Sequence, residues 1–430
     1  MNQQIKQRIE QINNGQVPEG YKKTEFGIFL SDWVTDKKLK DIGSFDKGRG
    51  LPGDKMCDSG VPCVGYGDIY MKYNNFHFEK AENFVDEETA SESLPIKKGT
   101  LLFTGTGETA EEIGKCVCYN GDETIYAGGD IITFKTNEVN PLFLAYQQYQ
   151  SYSLAKKASF GQGHSVVHIH ADNLEKLNVA YPKSTAEQEK IAEILMKWDE
   201  AIELQEKYIE KANQQRIFLL KKVFEPKQNW SYQTLGDNVD LLASGGTPST
   251  KILKYFDGNI VWVSIDDISQ SGKYISKSNR TLSLEGLQNS SAKLFPKGTI
   301  LYAMYASIGK CAIANIDCAT SQAIIGIVPS KNSFDNQYLY YYLCSIQERI
   351  STQGQQGTQA NLNKGLVESF KIPTPMKDGK IDIDEQKQIS KILIAIDNTI
   401  TLNTKKLERI KQQRKALQQY LLNGIVRVEV

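Results

Sequence analysis

The chain has 430 residues, and its 51 Lys and Arg residues balance 51 Asp and Glu residues, so the formal net charge is zero. A chain of this length holds about two to four domains. Its composition, with 40% apolar residues, 24% charged residues and 12 prolines, excludes a disordered, collagen-like or disulfide-stapled chain, and the charge balance excludes a uniformly polycationic nucleic-acid coat.

The seven cysteines are odd in number and contain no CxxC pair: Cys57, Cys63, Cys116, Cys118, Cys311, Cys318 and Cys344. Neither a disulfide framework nor a zinc ribbon fits, and we expect small buried thiols in a reducing cytoplasm. The start of the chain, MNQQIKQRIEQINNG, lacks the apolar core of a signal peptide, and no run approaches the roughly 18 apolar residues that span a bilayer. The sequence predicts a cytoplasmic protein without a membrane span.

In chain order, residues 1–32 form an arm with Ile5, Ile9 and Ile12 at helical spacing. We expect this arm to dock near the other end of the chain, against Leu422-Asn423-Gly424.

Residues 33–183 are predicted to form a first globular segment of mixed α and β structure, with a helical stretch that begins at Pro141. Gly105-Thr106-Gly107 begins like a dinucleotide-binding fingerprint, but the third glycine is missing. We interpret this run as a turn-forming loop.

Residues 184–226 are predicted to form a long helix. Ten seam positions follow the 4,3,4,3 spacing of a coiled coil: Ile191, Leu195, Trp198, Ile202, Gln205, Ile209, Ala212, Arg216, Leu219 and Val223.

Residues 227–381 form a second globular segment, whose β-rich runs 260–265, 299–304 and 323–328 lie between Gly- and Ser-rich turns, before a helical run that begins at Asn336. Residues 382–424 form a second long helix, and residues 425–430 form a tail. The second helix repeats the spacing: Ile389, Leu393, Ile396, Ile400, Asn403, Leu407, Ile410, Arg414, Leu417 and Leu421.

The two halves of the chain are a tandem repeat. A shift of 198 places residues 187–195 on 385–393 with five of nine identical, and the match continues without a gap to Arg216 and Arg414. Weaker sequence similarities occur between the globular segments, for example Gly114-Lys115-Cys116 with Gly309-Lys310-Cys311.

The predicted fold class is mixed α/β (α+β), with two repeated globular domains separated by two long antiparallel coiled-coil helices related by pseudo-twofold symmetry. Each helix of about 33 residues would be about 50 Å long and hold the domains at its opposite ends. The alternative is two ordinary amphipathic helices packed on separate cores.

These features resemble the specificity subunit of Type I restriction-modification systems, the HsdS family. The resemblance covers nearly the whole chain, and its most specific motifs are Gly245-Gly246-Thr247-Pro248-Ser249, the run from Tyr255 to Ile268, the Glu-Gln-Xaa-Xaa-Ile start of each long helix and Leu422-Asn423-Gly424. The first segment departs from this pattern, because it has Gly48-Arg49-Gly50-Leu51-Pro52-Gly53 in place of the GGTPS run.

The resemblance implies a non-catalytic subunit that binds double-stranded DNA, with each globular segment acting as a target-recognition domain for one half of a split, asymmetric site. It further implies that the helices set the spacer and dock two modification (methyltransferase) subunits and restriction (endonuclease and translocase) subunits. On this basis the chain itself needs no cofactor, while the partner subunits bind S-adenosylmethionine and ATP with Mg²⁺.

Four loops are candidates for DNA contact, because Gln and Asn suit adenine, Arg and Lys suit guanine or phosphate, and Gly allows close approach. They are 47–55 and 161–170 in the first segment and 247–254 and 353–361 in the second. A merely solvated role is open for each loop, and core packing is open for one of the two tyrosines considered. The candidate residues are Lys47, Arg49, Lys55, Gln162, His164, His168, His170, Thr247, Ser249, Lys251, Lys254, Tyr302, Tyr305, Ser307, Gln355, Gln356, Thr358, Gln359 and Asn361.

The three clustered histidines also suggest a metal site. A shift of 193, which aligns Ile169 with Leu362, places His168 and His170 on Asn361 and Asn363, which are poor metal ligands. A polar contact loop is therefore favoured over a metal site, and we predict no metal.

Catalytic motifs are absent from the sequence, which has no Pro-Pro pair for a base-gripping loop and no Walker lysine motif. The leading hypothesis is a DNA-recognition and assembly subunit. The alternative is a scaffold that binds proteins or glycans and whose helices pair.

Overall fold

The computed structural model describes residues 3–73, 76–163, 165–356 and 362–429, with the backbone alone for 351–356. The chain divides into two compact units, one of residues 1–205 with 406–430 and the other of residues 206–405. Each unit therefore combines one globular segment with a part of each long helix.

The first half begins with the arm and continues through the first globular segment to the first long helix. Its elements are α1 (Gln3–Asn13), β1 (Tyr21–Thr24), β2 (Gly27–Leu30), β3 (Val34–Lys38), α2 (Leu39–Ile42), β4 (Gly43–Lys47), β5 (Val61–Val64), α3 (Tyr66–Met71), β6 (His77–Phe78), β7 (Asn83–Val85), α4 (Glu87–Glu92), β8 (Leu94–Ile96), β9 (Thr100–Thr104), β10 (Thr106–Gly107), β11 (Cys116–Tyr119), β12 (Ile125–Ala127), β13 (Ile131–Thr136), α5 (Pro141–Gln147), α6 (Ser151–Phe160), β14 (Val167–His168), α7 (Ala171–Leu174), β15 (Asn178–Tyr181) and α8 (Thr185–Lys222).

The second half follows the same plan. Its elements are β16 (Trp230–Thr234), β17 (Val239–Ser244), β18 (Phe256–Val263), α9 (Ile265–Gln270), β19 (Tyr274–Ile275), β20 (Arg280–Leu282), α10 (Leu284–Gln288), β21 (Leu294–Phe295), β22 (Ile300–Ala303), β23 (Cys311–Ala314), β24 (Cys318–Thr320), β25 (Ile324–Pro329), α11 (Asn336–Gln356), α12 (Lys364–Glu368), β26 (Lys371–Lys377), β27 (Lys380–Ile381) and α13 (Ile383–Leu422). Short 3₁₀ turns occur at Gly53–Lys55, Gly236–Asn238 and Leu253–Tyr255.

The main sheets of the two units have the same strand order. A five-stranded sheet runs β4-β13-β9-β11-β6 in the first unit and β17-β25-β22-β23-β19 in the second, and a four-stranded sheet runs β7-β5-β12-β8 and β20-β18-β24-β21. The mixed α/β class and the repeat predicted from the sequence are therefore confirmed.

Equivalent turns in the two domains form from partly different residues. Gly65 precedes α3 and Ser264 precedes α9, and the backbone amide of each donates at 2.8 Å to a carboxylate three residues later, Asp68 or Asp267. This contact satisfies a backbone donor at the start of each helix, and in the second domain the Ser264 hydroxyl also accepts from the Asp267 backbone amide.

The long helices pack against each other within each unit. In the first unit Arg414 Nε donates to Asp199 Oδ1 at 2.7 Å, and in the second Arg216 Nε donates to Asp397 Oδ1 at 2.5 Å. All ten predicted seam positions of each helix are buried or half-buried.

Ion pairs near the helix ends show that the pairing is antiparallel. The Arg427 side chain, beyond the end of α13, places Nη2 3.1 Å from Oε2 of Glu187 in the first turn of α8. The Lys227 side chain, beyond the end of α8, places Nζ 3.3 Å from Oε1 of Glu385 in the first turn of α13. The predicted antiparallel pairing is confirmed within each unit.

The ends of the helices are also parts of the globular cores. Ile191, Leu195 and Leu421 belong to the first core, whereas Leu220 and Leu393 belong to the second. The helices therefore combine the two arrangements considered from the sequence, since each contacts the other helix and a domain core.

The arm contacts the end of α13 within the first unit. The Tyr21 hydroxyl donates to the Gly424 carbonyl oxygen at 2.8 Å, and Arg427 forms an ion pair of 2.9 Å with Asp32. Among the described residues, no helix has the length and hydropathy needed to cross a membrane.

Candidate nucleic-acid interface

The first candidate loop of each domain leaves the edge of the five-stranded sheet along the same backbone path. Gly48 N–H donates to Ile131 O at 2.8 Å, and Gly245 N–H donates to Ile324 O at 3.1 Å. The next residues continue the correspondence, because Arg49 N–H and Gly246 N–H reach carbonyl oxygens at the ends of β12 and β24.

The two glycines at the start of these loops are required by close backbone approach. A Cβ atom at Gly48 would lie 1.9 Å from Gly128 O, and one at Gly245 would lie 2.1 Å from Thr320 O. The different sequence of the first loop therefore leaves the backbone frame unchanged and alters the side chains that the loop presents.

An open cleft of about 770 Å³ lies beside the loop of the first domain. Gly50, Gly67 and Gly129 are part of its lining, together with the exposed side chain of Met71. The glycines of this lining allow close approach to the backbone, while apolar side chains such as Met71 form other parts of the wall.

In the second domain, side-chain hydrogen bonds cross the place that corresponds to this cleft. Thr247 Oγ1 donates a hydrogen bond to Gln322 Oε1, and the indole of Trp262 donates to Gly246 O at 3.0 Å. Thr247 and Gln322 correspond to Gly50 and Gly129 in the shared backbone frame.

The cationic candidates lie on the surface. Lys47, Arg49 and Lys55 are exposed in the first loop, and Lys251 and Lys254 are exposed in the second, as is the neutral candidate Ser249. Lys254 already forms an ion pair with Glu285, which raises its pKa above the ordinary value for lysine.

The histidine loop of the first domain is joined to the Gly105-Thr106-Gly107 run. β10 pairs with β14, and His168 Nδ1 lies 3.1 Å from Thr106 Oγ1. Gln162 and His168 exchange two backbone hydrogen bonds of 3.0 and 2.8 Å. The side chains of Gln162, His168 and His170 are exposed.

The structure supports the alignment that compared the histidines with asparagines. Ile169 N–H donates to Gly105 O, and Leu362 N–H donates to Met304 O, at equivalent points of the two sheets. His170 and Asn363 are then the N-cap residues of α7 and α12. In the part of the chain that the structure describes, no three His, Cys, Asp or Glu side chains form a group suited to a metal ion.

Tyr302, a candidate for DNA contact, lies in the core instead, and core packing is the alternative that the sequence left open for one of the two tyrosines. Its side chain is fully buried, 6.1 Å from the Phe370 ring between centroids, and burial raises the pKa of its hydroxyl. Tyr305 and Ser307 are half-buried in the following loop, where the Ser307 hydroxyl lies 2.9 Å from that of Ser269.

The last candidate loop begins later than predicted. α11 continues to Gln356, so the backbone of Gln355 and Gln356 is helical, and their side chains are not described. The remaining candidates lie outside the described residues: His164, Thr358, Gln359 and Asn361.

Sequence reasoning missed the hydrogen-bonded groups that connect the helix pair to the domains. The hydroxyl of Tyr146 donates to Asp199 at 2.8 Å, and that of Tyr341 donates to Asp397 at 2.6 Å. The shift of 198 that aligns the two halves of the chain pairs Asp199 with Asp397. This match is the feature of the sequence that indicates a shared structural role for the two aspartates.

Comparisons with known proteins follow the same two-part division. The chain matches the family described as Type I restriction modification DNA specificity domain over residues 31–214 and again over 227–412. It is 27% identical to a Methanocaldococcus jannaschii protein described as a specificity subunit of the type I restriction enzyme MjaX, and the match covers 96% of this chain and 97% of that relative.

Two further similarities extend this result. The type I restriction enzyme MjaIX specificity subunit of the same organism is 31% identical over 189 residues, which are 43% of this chain and 42% of that relative. The crystal structure of a Type I restriction-modification S subunit from M. genitalium matches with a TM-score of 0.57 at 16% identity, over 93% of this chain and 96% of that one, and so shows a shared fold.

Proposed function

The chain belongs to the family of type I restriction modification DNA specificity domains, and from this premise we propose that it recognises a bipartite, asymmetric DNA site. Each globular domain reads one half of the site. The alternative of a protein- or glycan-binding scaffold is not favoured, because both halves of the chain match the specificity family.

The observation that carries this proposal is the pair of loops that share a backbone frame and differ in side chains. The first presents Arg49 beside an open glycine cleft, and the second presents Thr247 joined to Gln322. A common frame with different side chains allows one fold to select different base sequences, since base edges are read by side-chain donors and acceptors.

The helix pair sets the spacer between the two half-sites in this proposal. The ion pairs of Asp199 with Arg414 and of Arg216 with Asp397 fix the register of α8 against α13. Polar seam contacts of this kind specify register, because any slip would leave charged groups without partners.

The modification subunits dock on the outer faces of the helices. Leu204 and Leu402 are equivalent in the repeat and are 67% and 66% exposed, and Tyr208, Phe218 and Ile392 are further exposed apolar side chains on these helices. Leu204 and Leu402 recur at equivalent positions of the repeat, and we take this exposed apolar pair as the docking surface in this proposal. The partner subunits supply S-adenosylmethionine and ATP with Mg²⁺, and restriction subunits join the same assembly.

Domain exchange tests the division of DNA recognition. Residues 33–183 are replaced by the corresponding domain of a specificity subunit with a different site, and the complex with its modification subunits is assayed on a randomised DNA library by sequencing methylated adenines. One half-site should change and the other should stay. Exchange of residues 227–381 is the matched control and should change the other half alone. An unchanged site in both exchanges would contradict the proposal.

The docking surface is tested by charge substitution. Leu204→Asp and Leu402→Asp should each weaken retention of the modification subunit in size-exclusion chromatography by at least tenfold, because a buried carboxylate would lose its hydration. Leu284→Asp, at a position 63% exposed on the short helix α10, is the control and should leave retention unchanged. Equal retention by all three variants would exclude this surface.

A further inference from the structure

Two cysteine thiols lie in contact in the second unit. Cys311 on β23 and Cys344 on α11 have their Sγ atoms 3.4 Å apart, and both are free thiols. A disulfide bond is about 2.05 Å long, so the sulfur atoms need to approach by about 1.4 Å. We propose that Cys311 and Cys344 are a site of reversible oxidation, at which a hydroperoxide converts the thiol pair into a disulfide.

The surroundings divide the roles between the two thiols. The hydrogen bond between the two thiols lowers the pKa of Cys344, and the nearby guanidinium of Arg216 acts in the same direction. The same hydrogen bond and burial raise the pKa of Cys311. Cys344 also lines a cleft whose lining does not include Cys311. We therefore assign Cys344 as the attacking thiolate and Cys311 as the resolving thiol, since the reactive species in thiol chemistry is the thiolate.

A cleft gives a small oxidant access to this pair. It has a volume of about 310 Å³, and its lining includes Cys344, Arg216, Ser345 and Gln347. The space exceeds that of a water-sized molecule many times over.

The reaction balances without another reactant. The Cys344 thiolate attacks one oxygen of hydrogen peroxide, the O–O bond breaks, and the departing hydroxide takes a proton to become water. The sulfur of the resulting sulfenic acid is attacked by Cys311, forming the S–S bond and expelling a second water. Two thiols are oxidised to one disulfide, and one peroxide is reduced to two waters.

The other cysteines lack this combination of features. Burial raises the pKa of Cys63 to about 11 and those of Cys118 and Cys318 to about 12, and it also raises that of Cys116. Such thiols stay protonated at neutral pH and react slowly. The exposed thiol of Cys57 donates to backbone carbonyl oxygens.

The repeat provides an internal comparison. Cys116 occupies the position of Cys311 in the first unit, and the place of Cys344 is taken by Tyr149, whose hydroxyl donates to Cys116 O at 2.7 Å. The first unit therefore has a tyrosine where the second unit has its second thiol. The proposed oxidation site belongs to the second unit, because only there do these two positions both hold cysteine.

Peptide mapping of the oxidised full chain tests the proposal. Reduced protein carrying Cys57→Ser is treated with equimolar hydrogen peroxide, digested without reductant and analysed by mass spectrometry. We expect a cross-linked peptide joining Cys311 to Cys344, with the loss of two hydrogen atoms and reversal by dithiothreitol. Because seven cysteines minus Cys57 leave six, the thiol titre in denaturant should fall from six to four per chain.

Three variants assign the cross-link. Cys311→Ser and Cys344→Ser should each abolish it, whereas Cys318→Ser, on the same tryptic peptide as Cys311, should retain it. The proposal is overturned if peroxide leaves the thiol titre at six, if it takes Cys344 to sulfinic acid without cross-linking, or if the disulfide joins other cysteines. If one of these variants folds poorly, the peptide map of the protein that carries Cys57→Ser alone still decides the question, because it shows directly whether Cys311 and Cys344 are cross-linked.

Discussion

At the level of single residues, the two ion pairs of the helix seam use the same groups in different surroundings. The side chains of Arg414 and Asp199 are 9% and 5% exposed, and the Arg414 guanidinium lies 4.2 Å from the ring centre of Phe76. Arg216 and Asp397 are 26% and 21% exposed. Water screens the second pair more strongly, so the first is the more sensitive to loss of one partner.

Asp199→Asn should destabilise the protein by about 3 to 5 kcal/mol, because it leaves the Arg414 charge buried without a counter-charge. Asp397→Asn is the matched substitution in the second unit and should cost less than half as much. Urea denaturation followed by far-UV circular dichroism measures both. Equal losses would show that burial does not distinguish the two pairs.

Lys157 makes stability depend on pH in a defined window. This fully buried ammonium group on α6 donates to Gly114 O at 2.8 Å, and burial lowers its pKa to about 8. The ordinary lysine pKa is about 10.4. Between these values the unfolded chain binds more protons than the native state, so the contribution of Lys157 to stability rises with pH, while below pH 8 its burial penalty is fully present.

The expected difference is measurable against a variant without the charge. From pH 7.5 to 9.5 the native protein should gain about 2 kcal/mol relative to Lys157→Met. Urea denaturation of both proteins across this range gives the comparison, and tyrosines common to both cancel in the difference. Parallel pH profiles would contradict the assignment of a lowered pKa to Lys157.

At the level of elements, the candidate loops depend on one glycine each. Gly48→Ala and Gly245→Ala would place a methyl group within about 2 Å of a backbone carbonyl oxygen, and each should destabilise its domain by about 2 to 3 kcal/mol. Gly53→Ala is the control, since a Cβ atom there meets nothing within 4 Å. Thermal unfolding monitored by circular dichroism should separate the three, and similar melting temperatures would refute the shared-frame interpretation.

The long helices were predictable because a heptad pattern is local and repeats along the chain. α8 and α13 cover 185–222 and 383–422, close to the predicted segments 184–226 and 382–424. The contacts at residue level were less predictable. Arg414 and Asp199 are 215 positions apart, and residue spacing carries no information on a contact at that distance.

The sequence predicted an exposed loop at Gly48 and Arg49, and the structure places the side chain of Arg49 on the surface, while contact with DNA stays a prediction. Tyr302 is the tyrosine that takes the core-packing alternative, because all four residues of β22 are buried. A strand covered on both faces loses the alternation of apolar and polar residues that would separate a core side from an exposed side. The sequence therefore did not show which of the two tyrosines lies in the core.

At the level of the whole molecule, the neutral net charge is the sum of opposite halves. Residues 1–226 contain 27 basic and 34 acidic residues, a net charge of −7, and residues 227–430 contain 24 and 17, a net charge of +7. In a DNA-reading protein the second half supplies more of the nonspecific attraction to phosphate. The first half depends more on local cations such as Arg49 and on its partner subunits.

The spacer hypothesis makes its sharpest prediction at the middle of the helix pair. Asp199 and Arg216 are 17 residues apart on α8, and Asp397 and Arg414 are 17 residues apart on α13, so one register serves both ion pairs. One heptad inserted after Lys207 and another after Lys405 would preserve both pairs and add about 10 Å to each helix. The recognised spacer should then lengthen by up to about three base pairs, given 3.4 Å per base pair along a strand.

A heptad inserted after Lys207 alone cannot keep both ion pairs in register, and it should abolish assembly or shift the recognised spacer. The same seven residues inserted after Gly379, in the exposed turn between β26 and β27, are the control and should leave the site unchanged. Sequencing the adenines that each complex methylates in a library of randomised spacers measures the outcome. An unchanged spacer in the double insertion would show that the separation of the half-sites is set elsewhere than in the helix pair.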